Sequence, residues 1–199
     1  MSVPKHIGII PDGNRRWAVS RGMEKQQGYQ SGLIPALDLL KQCTAMGVEE
    51  LTFYGFTTDN TKRPKNQRLA FTKACIDAVN LIKGENAELL VVGRTDTPMF
   101  PEELLPYTKR TVFGAGGIKV NFLVNYCPMW DIKNNISKDI SRIDLIIRWG
   151  GMCRLSGFLP VQSVYSDFYV VDALWPDYKS SHLAMALQWY NTQDITLGG

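Results

Sequence analysis

Short apolar runs alternate with helical apolar stripes along this whole chain, and that alternation limits its folds more than any other feature. His6–Ile10, Glu50–Phe56, Glu88–Val92, Lys119–Val124, Leu145–Ile147 and Phe168–Val171 each read as a buried strand. Between them, Leu33, Leu37, Leu40 and Thr44, joined by Ile34 and Leu39, recur at helical spacing and stop at Gly47. Gln67 to Ile82 repeats the pattern through Leu69, Cys75, Ala78 and Ile82. Pro101-Glu102-Glu103-Leu104 opens a further helix with proline and acids in its first turn, and Ser180–Asn191 supplies a last one. Strands separated by helices run parallel and are covered on both faces. The expected fold is α/β: a single domain over residues 1–199, with a central, mostly parallel six-stranded sheet flanked by helices. No repeat, linker or low-complexity tract divides it.

Net charge is only +3, so the chain has no global pull toward nucleic acid. An anion site here must come from local clusters of Arg and Lys. Cys43, Cys75, Cys127 and Cys153 fit no zinc or redox spacing and are expected as small buried residues in a reducing cytoplasm. The opening residues do not form a signal peptide, and no apolar run nears the ~20 residues that span a bilayer. A soluble, cytoplasmic protein is expected, with transient membrane association where a greasy substrate demands it.

Two strands are followed at once by turns dense in anion-binding groups. Strand 1 ends at Pro11 and leads into Asp12-Gly13-Asn14-Arg15-Arg16-Trp17. Gly13 permits close backbone approach, a helix from Asn14 would offer free N–H groups, and two arginines add charge-assisted donors. Asp12, a carboxylate among cations, could hold a Mg²⁺ that bridges to a diphosphate; the plainer reading is an acidic cap on a solvated basic helix. Strand 5 ends in Arg148, and Trp149-Gly150-Gly151 turns the chain back, so that Arg154 and Ser156 converge with Arg148 on one anion. The plainer reading there is a glycine turn with two exposed arginines. Thr57-Thr58-Asp59-Asn60-Thr61-Lys62-Arg63-Pro64 follows strand 2 and reaches the same sheet edge. Ligands in open α/β sheets collect beyond the carboxyl ends of strands, so these turns suggest a site for two phosphorylated molecules.

The stretches Asp-Gly-Asn-Arg-Arg-Trp and Ile-Arg-x-Gly-Gly-x-x-Arg-x-Ser, in this order, resemble the cis-prenyltransferase family, which includes undecaprenyl and dehydrodolichyl diphosphate synthases. The likeness runs through His6–Arg21, Gly28–Gly32, Leu51–Pro64, Asn125–Ile132, Asp144–Phe158 and Tyr165–Tyr178. It implies a homodimer-forming α/β fold with a hydrophobic tunnel between helices, and a Mg²⁺-dependent transferase. By position, Asp12 resembles the family's magnesium-binding aspartate. Gly13, Asn14, Arg15, Arg16, Trp17, Lys25 and Arg63 fall at the allylic diphosphate site. Arg148, Arg154 and Ser156 fall at the homoallylic one. Asp167 stands where the family carries a glutamate that helps hold the metal, and Asn60 matches an asparagine beside the reacting carbons.

Several positions depart from the family pattern. Tyr29 replaces a histidine of the chain-elongating enzymes, which resembles irregular, head-to-middle members such as cyclolavandulyl diphosphate synthase. Thr61 replaces an aromatic, Met152 an acid and Gly157 an asparagine; the tail Thr196-Leu197-Gly198-Gly199 lacks an arginine common there. The segments before Leu89 and between Ile132 and Asp144 are shorter than usual. The resemblance therefore implies condensation of an allylic diphosphate with a second C5 diphosphate to a short product of about ten to twenty carbons, since each added CH₂ needs buried room worth ~0.8 kcal/mol. Asn60 or Tyr29 could orient the departing proton. The competing readings are irregular or cyclising coupling, a single-substrate prenyl diphosphate cyclase or hydrolase, and a non-catalytic scaffold subunit. His6 is expected to cap strand 1, His182 to be exposed, and the other tryptophans to pack in the core or a dimer edge, with Trp149 placed to reach the turn.

Overall fold

The computed structural model describes residues 2–194. The expected alternation is present. Strands are β1 (His6–Ile10), β2 (Glu50–Tyr54), β3 (Ala87–Val92), β4 (Thr111–Phe113), β5 (Ile118–Leu123), β6 (Leu145–Trp149) and β7 (Asp167–Val171). Helices are α1 (Asn14–Ser20), α2 (Gly28–Ser31), α3 (Leu33–Ala45), α4 (Lys65–Ile82), α5 (Pro128–Asn134) and α6 (Ser180–Tyr190). The strands form one sheet in the order β4-β3-β5-β2-β1-β6-β7, parallel except for β4. The sheet thus has seven strands rather than six. The extra one, β4, has three residues, too few to show a period in the sequence, and pairs antiparallel with β3. The segment after Pro101 winds as a 3₁₀ helix over Glu102–Thr108, because in an α-helix the Pro106 ring would clash with the carbonyl of Glu102.

Strand alternation builds two cores. Ile7, Ile9, Phe53, Leu145, Ile147 and Trp149 face the layer containing α3, α4 and α6. Ile10, Tyr54, Leu123 and Ile146 face Tyr126, Ile140, Phe158 and Leu159. Both faces are covered, so the strands carry nearly unbroken apolar runs. After β5 the chain crosses β1, which then has β2 on one side and β6 on the other. That reversal leaves a crevice at the carboxyl ends of β1 and β6.

Several single residues differ from expectation. His6 is fully buried within β1, not a cap: its Nε2 lies 2.8 Å from Thr52 Oγ1 and its Nδ1 3.0 Å from the Ser141 carbonyl. His182 is half-buried, accepting from Trp149 Nε1 at 3.3 Å. Trp149 is itself fully buried and packs edge-on against Trp175, 4.8 Å between centroids, so its role is packing. Cys43 and Cys75 are buried, but Cys153 is exposed on the turn after β6. Thr196–Gly199 lie outside the described residues. Among the described residues, no helix is long and apolar enough to cross a membrane.

Candidate active site

A cavity of about 930 Å³ opens at the β1–β6 crevice and runs between α3, α4 and the sheet. Its mouth is lined by Arg15, Arg16, Lys25, Arg63, Arg148 and Arg154, against two carboxylates, Asp12 and Asp59. That surplus of four positive charges exceeds the +3 of the entire chain, so the cationic character of this protein is concentrated here.

The mouth is held by three interlocked turns. Gly13 adopts φ 109°, open to glycine, and starts α1 directly behind Asp12. The Asp12 carbonyl accepts from Trp175 N at 3.0 Å, while Gly150 N donates to Ala173 at 2.9 Å. Arg16 Nη2 donates to the Gly150 carbonyl at 2.9 Å; a side chain at Gly150 would collide with this guanidinium, and its φ of 88° again suits glycine. Asp12 then sits between two arginines, 2.7 Å from Arg148 Nη2 and 3.6 Å from Arg16 Nη2.

Arg148 follows Ile146 on the same face of β6, and its side chain is only 5% exposed. Its Nη1 donates to Ser156 Oγ at 3.0 Å and to the Arg154 carbonyl. Its buried Nε has no partner among the described residues. A buried donor left unpaired is costly, so this guanidinium retains capacity for an anion. Across the mouth, Arg63 Nη1 lies 3.1 Å from the Tyr29 hydroxyl. Burial pulls the Arg63 pKa below its ordinary value, while Tyr29 and Asp12 oppose that shift. The Tyr29 ring stands edge-on to Phe71 at 4.6 Å, marking the boundary between polar mouth and apolar interior. Asn60 belongs to a 3₁₀ turn, Thr58–Lys62, in which its side chain accepts from Thr57 N at 3.3 Å.

Below Tyr29 the walls are apolar. From α3 come Leu33, Ala36, Leu37 and Leu40; from α4 come Phe71, Ala74, Cys75, Ala78, Leu81 and Ile82. Each set is a helical stripe turned toward the other. The small residues Ala36, Ala74, Cys75 and Ala78 leave the space, and Phe53 and Phe122 line it from the sheet. From Phe71 to Ile82 the α4 wall extends about 16 Å at ~1.5 Å per residue.

Of the residues expected from sequence, Asp12, Gly13, Asn14, Arg15, Arg16, Lys25, Tyr29, Asn60, Arg63, Arg148, Arg154 and Ser156 all line this one cavity. Two do not. Trp17 turns away, donating from Nε1 to Asp177 Oδ1 at 2.8 Å under the Arg21 guanidinium. Asp167 begins β7 in register with Leu145, at the amino end of the sheet, whereas Arg148 pairs with Val170 nearer the carboxyl end. Three positions of strand put it about 10 Å below the mouth within this chain. Burial raises its pKa, with no cation among the causes. Tyr54 and the α3 and α4 lining were missed; helical spacing gave their faces but not which face a cavity would occupy.

Of the two carboxylates at the mouth, Asp59 is paired with Lys62 at 2.9 Å, which leaves Asp12 as the one set among the arginines for a metal. No group of three or more His, Cys, Asp or Glu side chains comes together among the described residues. Asp12 fits a Mg²⁺ only as one donor beside phosphate oxygens, a common arrangement for this ion. Within one chain, Asp167 lies too far along the sheet to share that ion with Asp12.

Comparison with known proteins agrees with this geometry. The Prenyltransf family model, that of undecaprenyl diphosphate synthases, matches residues 10–140 and 131–198. A ditrans,polycis-undecaprenyl-diphosphate synthase ((2E,6E)-farnesyl-diphosphate specific) of Buchnera aphidicola subsp. Schizaphis graminum is 31% identical over 229 residues, covering 98% of this chain and 91% of that protein. An isoprenyl transferase of Clostridium tetani is 32% identical over 234 residues, covering 100% and 90%. In solved structures, lavandulyl diphosphate synthase from Lavandula x intermedia, in complex with dimethylallyl diphosphate, superposes with a TM-score of 0.80 over 98% of both chains at 22% identity.

Proposed function

Because the chain belongs to the cis-prenyltransferase family of undecaprenyl diphosphate synthases and is a prenyltransferase, we propose that it joins an allylic prenyl diphosphate to isopentenyl diphosphate, forming a short product of about ten to twenty carbons. The observation that carries this reading is a single cavity with cations on both sides of Asp12 at one end and only apolar walls at the other.

Arg15, Arg16, Lys25 and Arg63 would hold the allylic diphosphate with its chain passing Tyr29 into the apolar interior. Their charge is complementary to the diphosphate as it leaves, the kind of stabilisation that contributes most to such reactions. A Mg²⁺ held by Asp12 and phosphate oxygens would supply further charge neutralisation at that leaving group. Arg148, Arg154 and Ser156 would fix the second diphosphate so that its alkene faces the allylic carbon, a proximity effect. The new C–C bond forms as the allylic C–O bond breaks, and a proton then leaves the adduct, oriented by Asn60 or Tyr29 and accepted by the departing diphosphate.

Chain length follows from the walls. With C–C bonds of ~1.5 Å, an extended five-carbon unit spans about 5 Å, so a 16 Å wall takes about three units. The alignment with the Buchnera relative also needs 229 positions to span 98% of 199 residues, so the two chains differ by insertions. Incubation with labelled C5, C10 and C15 allylic diphosphates and isopentenyl diphosphate tests the reading. Products of two to four units are expected, and products of eight or more contradict it.

Tyr29 favours a second reading, head-to-middle coupling. A phenol and an imidazole differ in shape and in the hydrogen-bonding groups they present, so proton removal can differ here. Product NMR separates linear head-to-tail skeletons from branched ones. The homodimer reading is supported by Val161, Val164 and Tyr165, 60–64% exposed just before the open edge strand β7, an apolar surface suited to a second copy.

A further inference from the structure

The turn after β6 holds two residues in conformations that side chains disfavour. Ser156 has φ 51° and Leu159 φ 31°, with Gly157 between them at 81°. Part of this is maintained from within: Phe158 N donates to the Leu155 carbonyl at 3.0 Å, and Ser163 Oγ to the Phe158 carbonyl at 3.2 Å. The contact on Ser156 comes from outside the turn. Tyr54, the last residue of β2, donates its hydroxyl to the Ser156 carbonyl at 2.8 Å. Its ring lies 5.1 Å from that of fully buried Phe158 and edge-on to Tyr126 at 6.2 Å, so the phenol has little freedom to swing away. Burial raises the Tyr54 pKa far above its ordinary value, so the group remains an O–H donor.

The conformation of Ser156 matters because its Oγ accepts from Arg148 Nη1 at 3.0 Å. With a lone pair so occupied, the serine hydrogen is left to donate to an incoming anion. We propose that Tyr54 is a positioning residue for the second diphosphate subsite: by holding the Ser156 carbonyl it keeps this serine in the left-handed region, with its hydroxyl between Arg148 and the bound diphosphate. Nothing in the sequence marked it, since it reads as one more aromatic in a strand. The inference rests on the proposed function for the identity of the ligand, isopentenyl diphosphate.

The test is steady-state kinetics on Tyr54→Phe, which keeps the ring packing and removes the hydroxyl. The KM for isopentenyl diphosphate should rise about three- to tenfold, as for one lost hydrogen bond, while the allylic KM stays within about twofold. The second arm repeats the change in a Ser156→Gly background. Glycine occupies φ near 50° unaided, so there Tyr54→Phe should raise the KM by less than about 1.5-fold, a non-additive cycle. Equal rises in both KM values, or the same rise in the Ser156→Gly background, would overturn the proposal by assigning Tyr54 a general structural role. An active parent with an unaltered Tyr54→Phe variant would also overturn it. A parent that does not consume isopentenyl diphosphate would instead refute the proposed function.

Discussion

The two cationic turns at the cavity mouth are built on opposite plans. The first, after β1, places Arg15 and Arg16 on the exposed side of a seven-residue helix, where Arg15 reaches, among the described residues, only Gln67 Oε1 at 3.4 Å. The second is centred on Arg148, which is 5% exposed, anchored through both Nη atoms, and backed by strained Ser156. Arg16 is tied to the Gly150 carbonyl, but an exposed cation such as Arg15, with one long hydrogen bond, can adjust to a ligand whose tail varies in length. A buried guanidinium with one unpaired N–H is preorganised for a single small headgroup. On the proposed function, that difference assigns the variable substrate to the first turn and the invariant one to the second.

The largest test of that contrast exchanges arginine for lysine at each turn. Arg148→Lys loses the planar fork that reaches Asp12 and Ser156 together, and the KM for isopentenyl diphosphate should rise about 30-fold or more, as for a lost charge-assisted contact of ~2 kcal/mol. Arg15→Lys, on the exposed helix, should change the allylic KM by less than about fivefold. Equal effects in steady-state assays would erase the distinction.

A smaller effect sharpens it. Ala78→Phe fills the α4 wall below the mouth and should shorten the product by about one five-carbon unit without altering the KM for isopentenyl diphosphate, read by chromatography of dephosphorylated products. An unchanged product distribution would place the growing chain elsewhere.

The smallest effect is on stability and should spare both subsites. At the amino end of the sheet, His6 is buried beside Glu50, which accepts from Asn121 and Ser141 at 2.6 Å each. Burial holds the His6 pKa below its ordinary 6.5, outweighing the raising effect of Glu50. Burial would raise Glu50, but His6, Ser141, Asn121 and Arg110 together bring it below 4.5. The unfolded chain therefore binds a proton at His6 near pH 6.5 that the folded chain resists. Stability is whole above that pH and declines as pH falls through it, until the folded chain is protonated as well; Glu50 adds a loss only below 4.5. Thermal melts at pH 7.5 and 5.5 should show the parent losing more than His6→Gln, with the ratio of the two KM values unaffected.

Much of this was legible in the sequence because the site lies on local segments. Asp12 to Arg16 follow β1, and Arg148 to Ser156 run from the last residues of β6 into the turn after it, so strand order alone brings them to one edge. Asp167 shows the same rule unused: it opens its strand rather than following it, and in a parallel sheet that places it at the far end from Asp12. Trp17 was illegible for another reason, since its direction depends on Asp177, 160 positions away. The tunnel lining was half legible. Period gave the stripes on α3 and α4, but Leu69, on the expected apolar face, is 61% exposed, and only packing decides which stripe meets a core and which a cavity.

The central claim is that two diphosphates occupy this mouth together, one on each turn. Calorimetry with a non-reactive thio-analogue of an allylic diphosphate, followed by isopentenyl diphosphate, in the presence of Mg²⁺, measures it directly. The account predicts one of each bound per chain, simultaneously, with Arg148→Lys weakening only the second. Mutually exclusive binding of the two ligands would contradict it.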